Sequence, residues 1–302
     1  HEHKTMLSQM EGIRLVGFSD RDPKQLDDVR EGLKRYESNE ALLADPEVDV
    51  VLIAANNNQH HDLVIQAAEA GKDIICEKPA AMSLEELDDM VRVTNECGVK
   101  FTVHHQRRLD QDFRIMKEIF DQKALGDVYM MKNSLYGFNG NMHDWHVYPE
   151  MGGGMLYDWG VHLIDQMLDM VKSDIVSLYA DVQNVINENV DDYFNIIMKF
   201  ANGVTAEIEL GTYYLTPKRG WFIGGNKGSA MIDGFAGEGK IVRTAHLLEN
   251  VPGKITMTAA GPTRSFGPAA PGLLQEEALP RSDERPVGEE GRSRWGADPL
   301  KK

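Results

Sequence analysis

The stretch VDVVLIAANNNQHHDLVIQAAEAGKDIICEKP, residues 48–79, decides the fold class. Val48 to Ala55 is a short apolar run rich in β-branched side chains, which suits a strand buried on both faces. From about His61 to Ala70 apolar residues recur at helical spacing, and Gly71 closes the segment. Asp73 to Cys76 is again short and apolar. A strand, a helix and a strand in immediate succession make a crossover, so the two strands run parallel. Outward from this unit, Ile13 to Phe18 reads as another strand ending at Asp20. Asp22-Pro23 then supplies a helix N-cap with proline at the first helical position. Downstream, Ser83 and Glu86 form a capping box that opens a helix running to Gly98, and Lys100 to Val103 is a further strand. Strands alternating with helices predict an α/β domain with a doubly wound parallel sheet.

After His105 the pattern changes. A helix is expected from about Asp110 to Phe120, a strand near Val128 to Tyr136, and a second helix near Met155 to Met170. Long strands then dominate, at Ile175 to Val185, Tyr193 to Phe200 and Val204 to Tyr213, the last two joined by a two-residue hairpin signal at Asn202-Gly203. Trp221 to Ile223 and Ser229 to Ile232 flank another turn. The expected division is a doubly wound domain over 1–106, an α+β domain with a mainly antiparallel sheet over 107–265, and an unstructured tail over 266–302, where proline, glycine and charge replace periodicity.

The 302 residues, 42% hydrophobic and 26% charged, suit two modest cores. A formal net charge of -16 argues against a nucleic-acid partner, because phosphate backbones are held by basic surfaces. No run has the length of a membrane span, and the start HEHKTMLSQMEG has no apolar core of the signal-peptide kind, so a cytoplasmic location is expected. Cys76 and Cys97 are read as buried thiols, not as a disulfide framework.

In a doubly wound sheet ligands sit outside the carboxyl ends of the strands, which directs attention to Asp20, Asn56-Asn57, Glu77-Lys78-Pro79 and His104-His105. Asp20 suits the hydroxyls of an adenosine ribose and so favours NAD, while Arg21 beside it leaves room for the extra phosphate of NADP; the plainer reading of Asp20 is a turn or cap. Lys78 is placed to donate to a substrate oxygen, and a cis bond to Pro79 would aim it, against the alternative of an exposed ion pair. Gly152-Gly153-Gly154 precedes a helix bearing Asp158 and His162, four residues apart and on one face. This is a base with a neighbouring carboxylate or an ordinary surface pair. The glycines let a ligand or another segment approach the backbone.

Taken together, Asn57 with His60, Glu77-Lys78-Pro79, Gln106-Arg107-Arg108, Asp144-Trp145, and the glycine run with Asp158, Gly160, His162 and Asp165 resemble, in order and approximate spacing, the glucose-fructose oxidoreductase/inositol dehydrogenase (Gfo/Idh/MocA) family over roughly residues 1 to 235. The resemblance implies an NAD(P)-dependent oxidoreductase that moves a hydride between a sugar or polyol carbinol and nicotinamide. By it Lys78 and His162 are the catalytic pair and Asp158 positions substrate or base. Asn57, His60, Glu77 and Pro79 border the nicotinamide, with Asp20, Arg21 and Gln106 also toward the cofactor. Arg107 and Trp145 face the substrate. It implies homodimers or homotetramers as well. Association is expected through the sheet of the second domain, with Val204 to Tyr213 and Trp221 to Ile223 presenting apolar surface. The family's first strand and its G-x-G-x-x-G turn are expected ahead of His1, and would place a strand between Ile13–Phe18 and Val48–Ala55. RSDERPVGEEGRSRWGADPLKK lacks the apolar stripe of the family's closing helix.

Three other readings compete: a zinc enzyme using His143, His146, Asp158 and His162; an NAD-dependent glycosidase working through transient oxidation; and a non-catalytic sensor or assembly protein that kept the fold without cofactor binding.

Overall fold

The structure is a computed structural model that describes residues 3, 7, 10–27, 32–137, 142, 144–216, 220–233, 238–244, 255–264 and 274–279. The chain forms two compact units, one of His1–His104 with Glu150–Gly152, the other of His105–Pro149 with Gly153–Lys302.

In the first unit β1 (Gly17–Ser19) and β2 (Lys34–Tyr36) pair in parallel, with Gly17 opposite Lys34. Gly17 is required there, because a Cβ would lie 2.8 Å from both the Lys34 Cβ and the Tyr36 ring. β1 is shorter than the run of Ile13 to Phe18 suggests. The helix expected after Asp22-Pro23 is a single 3-10 turn, Pro23–Leu26, capped by the Asp22 carboxylate accepting from Lys24 N. β2 and the short α1 (Asn39–Leu43) carry no sequence signal of comparable strength, since Lys34-Arg35-Tyr36 has no apolar alternation. There follow β3 (Val50–Ile53), α2 (His60–Glu69), β4 (Asp73–Cys76), α3 (Leu84–Cys97) and β5 (Phe101–Val103). β3, β4 and β5 form a parallel sheet in that order, separate from the β1–β2 pair. Helix α3 is bounded as its sequence dictates: Ser83 Oγ accepts from Glu86 N, Glu86 Oε2 accepts from Met82 N, and Gly98 takes the left-handed C-cap at φ 70°. The core is small, built on Ile53, Val64, Ala67, Ala68, Ile74, Cys76 and Met90. Burial pushes the Cys76 thiol up to about 12, so it stays protonated as a packing group. Cys97 is exposed, contrary to the expectation of a buried thiol, because it sits on the last turn of α3.

The second unit carries α4 (Gln111–Asp121), β6 (Val128–Tyr136) and α5 (Val161–Met170), then β7 (Ile175–Gln183), β8 (Tyr193–Phe200) and β9 (Thr205–Gly211). β10 (Trp221–Gly225), β11 (Gly228–Ile232), β12 (Gly239–Thr244), β13 (Ile255–Thr258), β14 (Gly261–Arg264) and β15 (Leu274–Leu279) complete it. Among the described residues the main sheet is eight-stranded, in the order β15-β12-β11-β10-β6-β9-β8-β7, antiparallel except for the central β6–β9 pair. β8 and β9 meet through a three-residue loop, not two. Phe200 N–H donates to Val204 O at 2.9 Å, and Gly203 adopts φ 95°, which closes the turn with a glycine in a left-handed position.

β15 corrects the expected tail, since residues 274–279 pair with β12 from Leu279↔Gly239 to Leu274↔Thr244, and Leu279 reaches the core. Residues 280–302 lie outside the described residues. The core gathers Phe113, Ile119, Leu163 and Met167 from the helices with Phe194, Ile208, Trp221 and Ile223 from the sheet. Trp221 and Ile223, with Ile208 and Leu210, are therefore covered inside the unit and are not the association surface expected of them. Exposed apolar side chains fall on the edge strand β7, at Val176, Leu178 and Tyr179.

Candidate functional site

Parallel strands deliver the first unit's chemistry to one edge. Just past β1, Asp20 Oδ1 accepts from Asp22 N at 2.9 Å, so one of its oxygens closes the turn, and Asp20 and Arg21 are both exposed. Past β3, Asn57 is buried and its Nδ2 donates to Gly152 O at 2.8 Å. His60, fully buried, lies between two main-chain oxygens, Pro79 O at 2.7 Å and Ala55 O at 3.1 Å. It pins the loop after β4 to the loop after β3. Both of its ring nitrogens face main-chain oxygens. Past β4 the Lys78–Pro79 peptide is cis, as the Lys-Pro reading entertained.

Glu77 gathers three donors at this edge. Its Oε1 receives His104 Nδ1 at 2.8 Å and His3 Nε2 at 2.7 Å, and its Oε2 accepts Lys78 N at 3.2 Å. Burial raises its carboxyl, but the His104 bond and charge, the Lys78 N–H and the His3 charge outweigh that and hold it below the usual carboxylate range. The positions of His3 and His104 against Glu77 had no local signal, because they are separated along the chain.

The three glycines are each explained by close approach of the chain itself. A side chain on Gly152 would meet Met82 and Asn57, one on Gly153 the His146 carbonyl, and one on Gly154 the Asp191 carboxylate. Asp191 then anchors the start of the helix, accepting from Leu156 N at 2.7 Å through its carboxylate and from Met155 N at 3.0 Å through its carbonyl.

In the second unit the expected regular helix over 155–170 begins with a π turn, Leu156–Gly160, which holds Asp158, before α5 continues as α-helix with His162 in its first turn. The wider turn means that four-residue spacing no longer brings side chains exactly over one another, and π turns recur at functional sites. His162 is buried, its ring edge-on to Trp159 at 5.9 Å and to His105 at 6.1 Å between centroids. Arg107 places its guanidinium 4.5 Å over the Trp159 ring and donates to Asp110 at 3.1 Å. Arg108 grips Asp165 with two bonds, 2.7 and 2.6 Å, and Gln166 Nε2 donates to Arg107 O at 3.0 Å, so the 106–109 turn is tied to α5. Gln106 Oε1 is buried with no hydrogen-bond partner among the described residues. Trp145 stacks on His146 at 3.9 Å. Trp159 was not singled out from sequence, because an aromatic within an apolar helix reads as core.

Of the suggested zinc ligands, His143 lies outside the described residues. Among the described residues His146, Asp158 and His162 are not gathered at metal-ligand spacing. No described helix is long and apolar enough to cross a membrane.

Residues 1–105 match the oxidoreductase family with an NAD-binding Rossmann fold, and residues 113–231 match the GFO/IDH/MocA C-terminal domain. The chain is 26% identical to myo-inositol 2-dehydrogenase of Thermotoga maritima, over 68% of this chain and 64% of that protein. It is 29% identical to scyllo-inositol 2-dehydrogenase (NADP(+)) of Bacillus subtilis, over 53% of this chain and 45% of that one. It thus spans about half to two thirds of the length of these curated relatives. The crystal structure of an NAD-binding protein from Listeria innocua superposes with a TM-score of 0.85 at 35% identity, covering 98% of this chain and 84% of that one. With both of its units matched and the parallel sheet followed by the larger, mainly antiparallel one, the chain belongs to the Gfo/Idh/MocA oxidoreductase family.

Proposed function

We propose that this chain is part of a nicotinamide-dependent dehydrogenase acting on a sugar or polyol carbinol, in which His162 is the base and Lys78 donates to a substrate oxygen. The observation that carries the reading is the placement of His162: a buried imidazole at the junction of a π turn and an α-helix, walled by Trp159 and His105. An imidazole in such a setting is of the residue type most used as a general base. Inositol dehydrogenases among the relatives support a polyol.

The residues present fit a nicotinamide dinucleotide. Gln106 Oε1 offers an unused buried acceptor for a carboxamide N–H, and Asp20 keeps one carboxylate oxygen for ribose hydroxyls. The Asp20 carboxylate makes NAD the expected cofactor, while exposed Arg21 beside it suits the 2′-phosphate of NADP. When bound, the nicotinamide supplies the hydride acceptor. The chain's own work is to take the carbinol proton at His162, to hold the substrate oxygen with Lys78, and to orient the site through Asp158 and Asn57. His60 and Glu77 keep the Lys78-Pro79 loop in place, the former through Pro79 O and the latter through Lys78 N. Arg107 and Trp145 are assigned to substrate hydroxyls and ring faces. We further assign self-association to the exposed face of β7, and a cytoplasmic location.

The test is reduction of NAD and of NADP by a panel of inositols and aldoses, using the protein extended to the length of its relatives. Turnover of at least one polyol, abolished by Lys78→Ala with cofactor binding retained, is expected. Cofactor binding without turnover of any panel member would favour a sensor in place of an enzyme.

A further inference from the structure

We propose that His3, Glu77 and His104 form a binding site for a divalent transition-metal ion, zinc being the best match, within the first unit. Their ligand atoms all lie within 4.8 Å of one another, and both imidazole nitrogens converge on the same carboxylate oxygen, His3 Nε2 at 2.7 Å and His104 Nδ1 at 2.8 Å. Two imidazoles and a carboxylate are a borderline donor set that suits zinc, cobalt or nickel better than magnesium or calcium, which prefer all-oxygen shells.

The geometry is close to what an ion needs. With roughly 2.0–2.2 Å from metal to each nitrogen and oxygen in a tetrahedral shell, a ligand nitrogen and oxygen stand about 3.3–3.6 Å apart, so the trio opens by somewhat over half an ångström. Binding breaks the two N–H···O bonds and replaces them with N–metal–O links. In a neutral ring the proton moves to the other nitrogen, so no proton need leave the protein.

Two further features favour a cation here. The second Glu77 carboxylate oxygen accepts from Lys78 N, which orients the carboxylate as outer partners orient metal ligands. Side-chain exposures of 28% for His3, 17% for Glu77 and 29% for His104 leave one side open to water, as in sites with three protein ligands and an exchangeable fourth. The inference does not depend on the dehydrogenase reading.

The experiment is titration of zinc into the chelator-stripped chain against a competing chromogenic chelator, with circular dichroism to confirm folding of each variant. One zinc per chain is expected. His104→Ala and His3→Ala should each weaken binding by at least the roughly tenfold to hundredfold that loss of a mere outer partner costs. His61→Ala removes an imidazole bound to Asp62 and Asp89 at a separate place and should leave the affinity unchanged. Should His104→Ala fail to fold, His3→Ala carries the test. Failure of the folded wild-type chain to retain zinc, or identical affinity in wild type and His3→Ala, would overturn the proposal.

Discussion

The two units solve the problem of holding polar chemistry in opposite ways. In the first, a shallow core of Ile53, Val64, Ile74 and Met90 backs short parallel strands, and the chemistry sits on the loops where those strands end. Its central carboxylate, Glu77, is kept ionised by N–H donors from His104, His3 and Lys78. In the second, α4 and α5 pack on a wide sheet around Phe113, Phe194 and Trp221, and the deep carboxylate Asp112 is pushed the other way. Burial raises it to about 6, against partial relief from bonds donated by Phe113 N and Trp221 Nε1. Loops hold a carboxylate charged by supplying donors, whereas burial in a deep core pushes a carboxyl toward its neutral form.

The largest expected effect sharpens the contrast of cores. Phe194→Ala should destabilise the second unit by about 3–5 kcal/mol, because Phe194 is fully buried and its removal leaves a cavity. Ile74→Val in the first unit should cost only about 0.5–1.5 kcal/mol. Chemical denaturation of the two variants measures the difference, and equal losses would break the comparison.

The next effect concerns pH. Asp112 has a folded pKa above its unfolded value, so its stabilising contribution is full below about 4 and lost as pH rises through about 6. Between those limits the second unit should lose on the order of 2–3 kcal/mol. Glu77 has a lowered folded pKa, so its contribution is present above the ordinary carboxylate range and lost as pH falls through the depressed value. Urea midpoints across pH 4 to 7 for wild type and Asp112→Asn test the first half: the Asn variant should show the flatter profile. An unchanged profile would remove Asp112 from the account.

A smaller effect is local to α3. Ser83→Ala removes the acceptor for Glu86 N and should cost about 1 kcal/mol, read as a shift in denaturation midpoint.

Where residues interact with near neighbours in sequence, the fold was legible. The α3 cap, the glycine that ends it, β4 and β6 follow from local rules, and so does the succession of parallel strands. The short β2 was not, since its Lys and Arg face solvent and its pairing with β1 depends on a tertiary partner. β15 was hidden for the same reason: LQEEAL becomes a strand only against β12. At the candidate site, residue types and order were readable, but the π turn beneath Asp158, the two imidazoles on Glu77 and the Arg107–Trp159 stack were not. They arise from side chains far apart in sequence or from a helix irregularity without a composition cue.

The central claim is that His162 supplies the base. Its most direct test is the turnover number of His162→Asn, in the length-extended protein, with the polyol and cofactor that give the highest wild-type rate. The account predicts a fall of roughly a hundredfold to ten-thousandfold, with cofactor affinity and the denaturation midpoint little changed. Turnover equal to wild type in a folded, cofactor-binding variant would contradict it and leave His162 as a packed ring between Trp159 and His105.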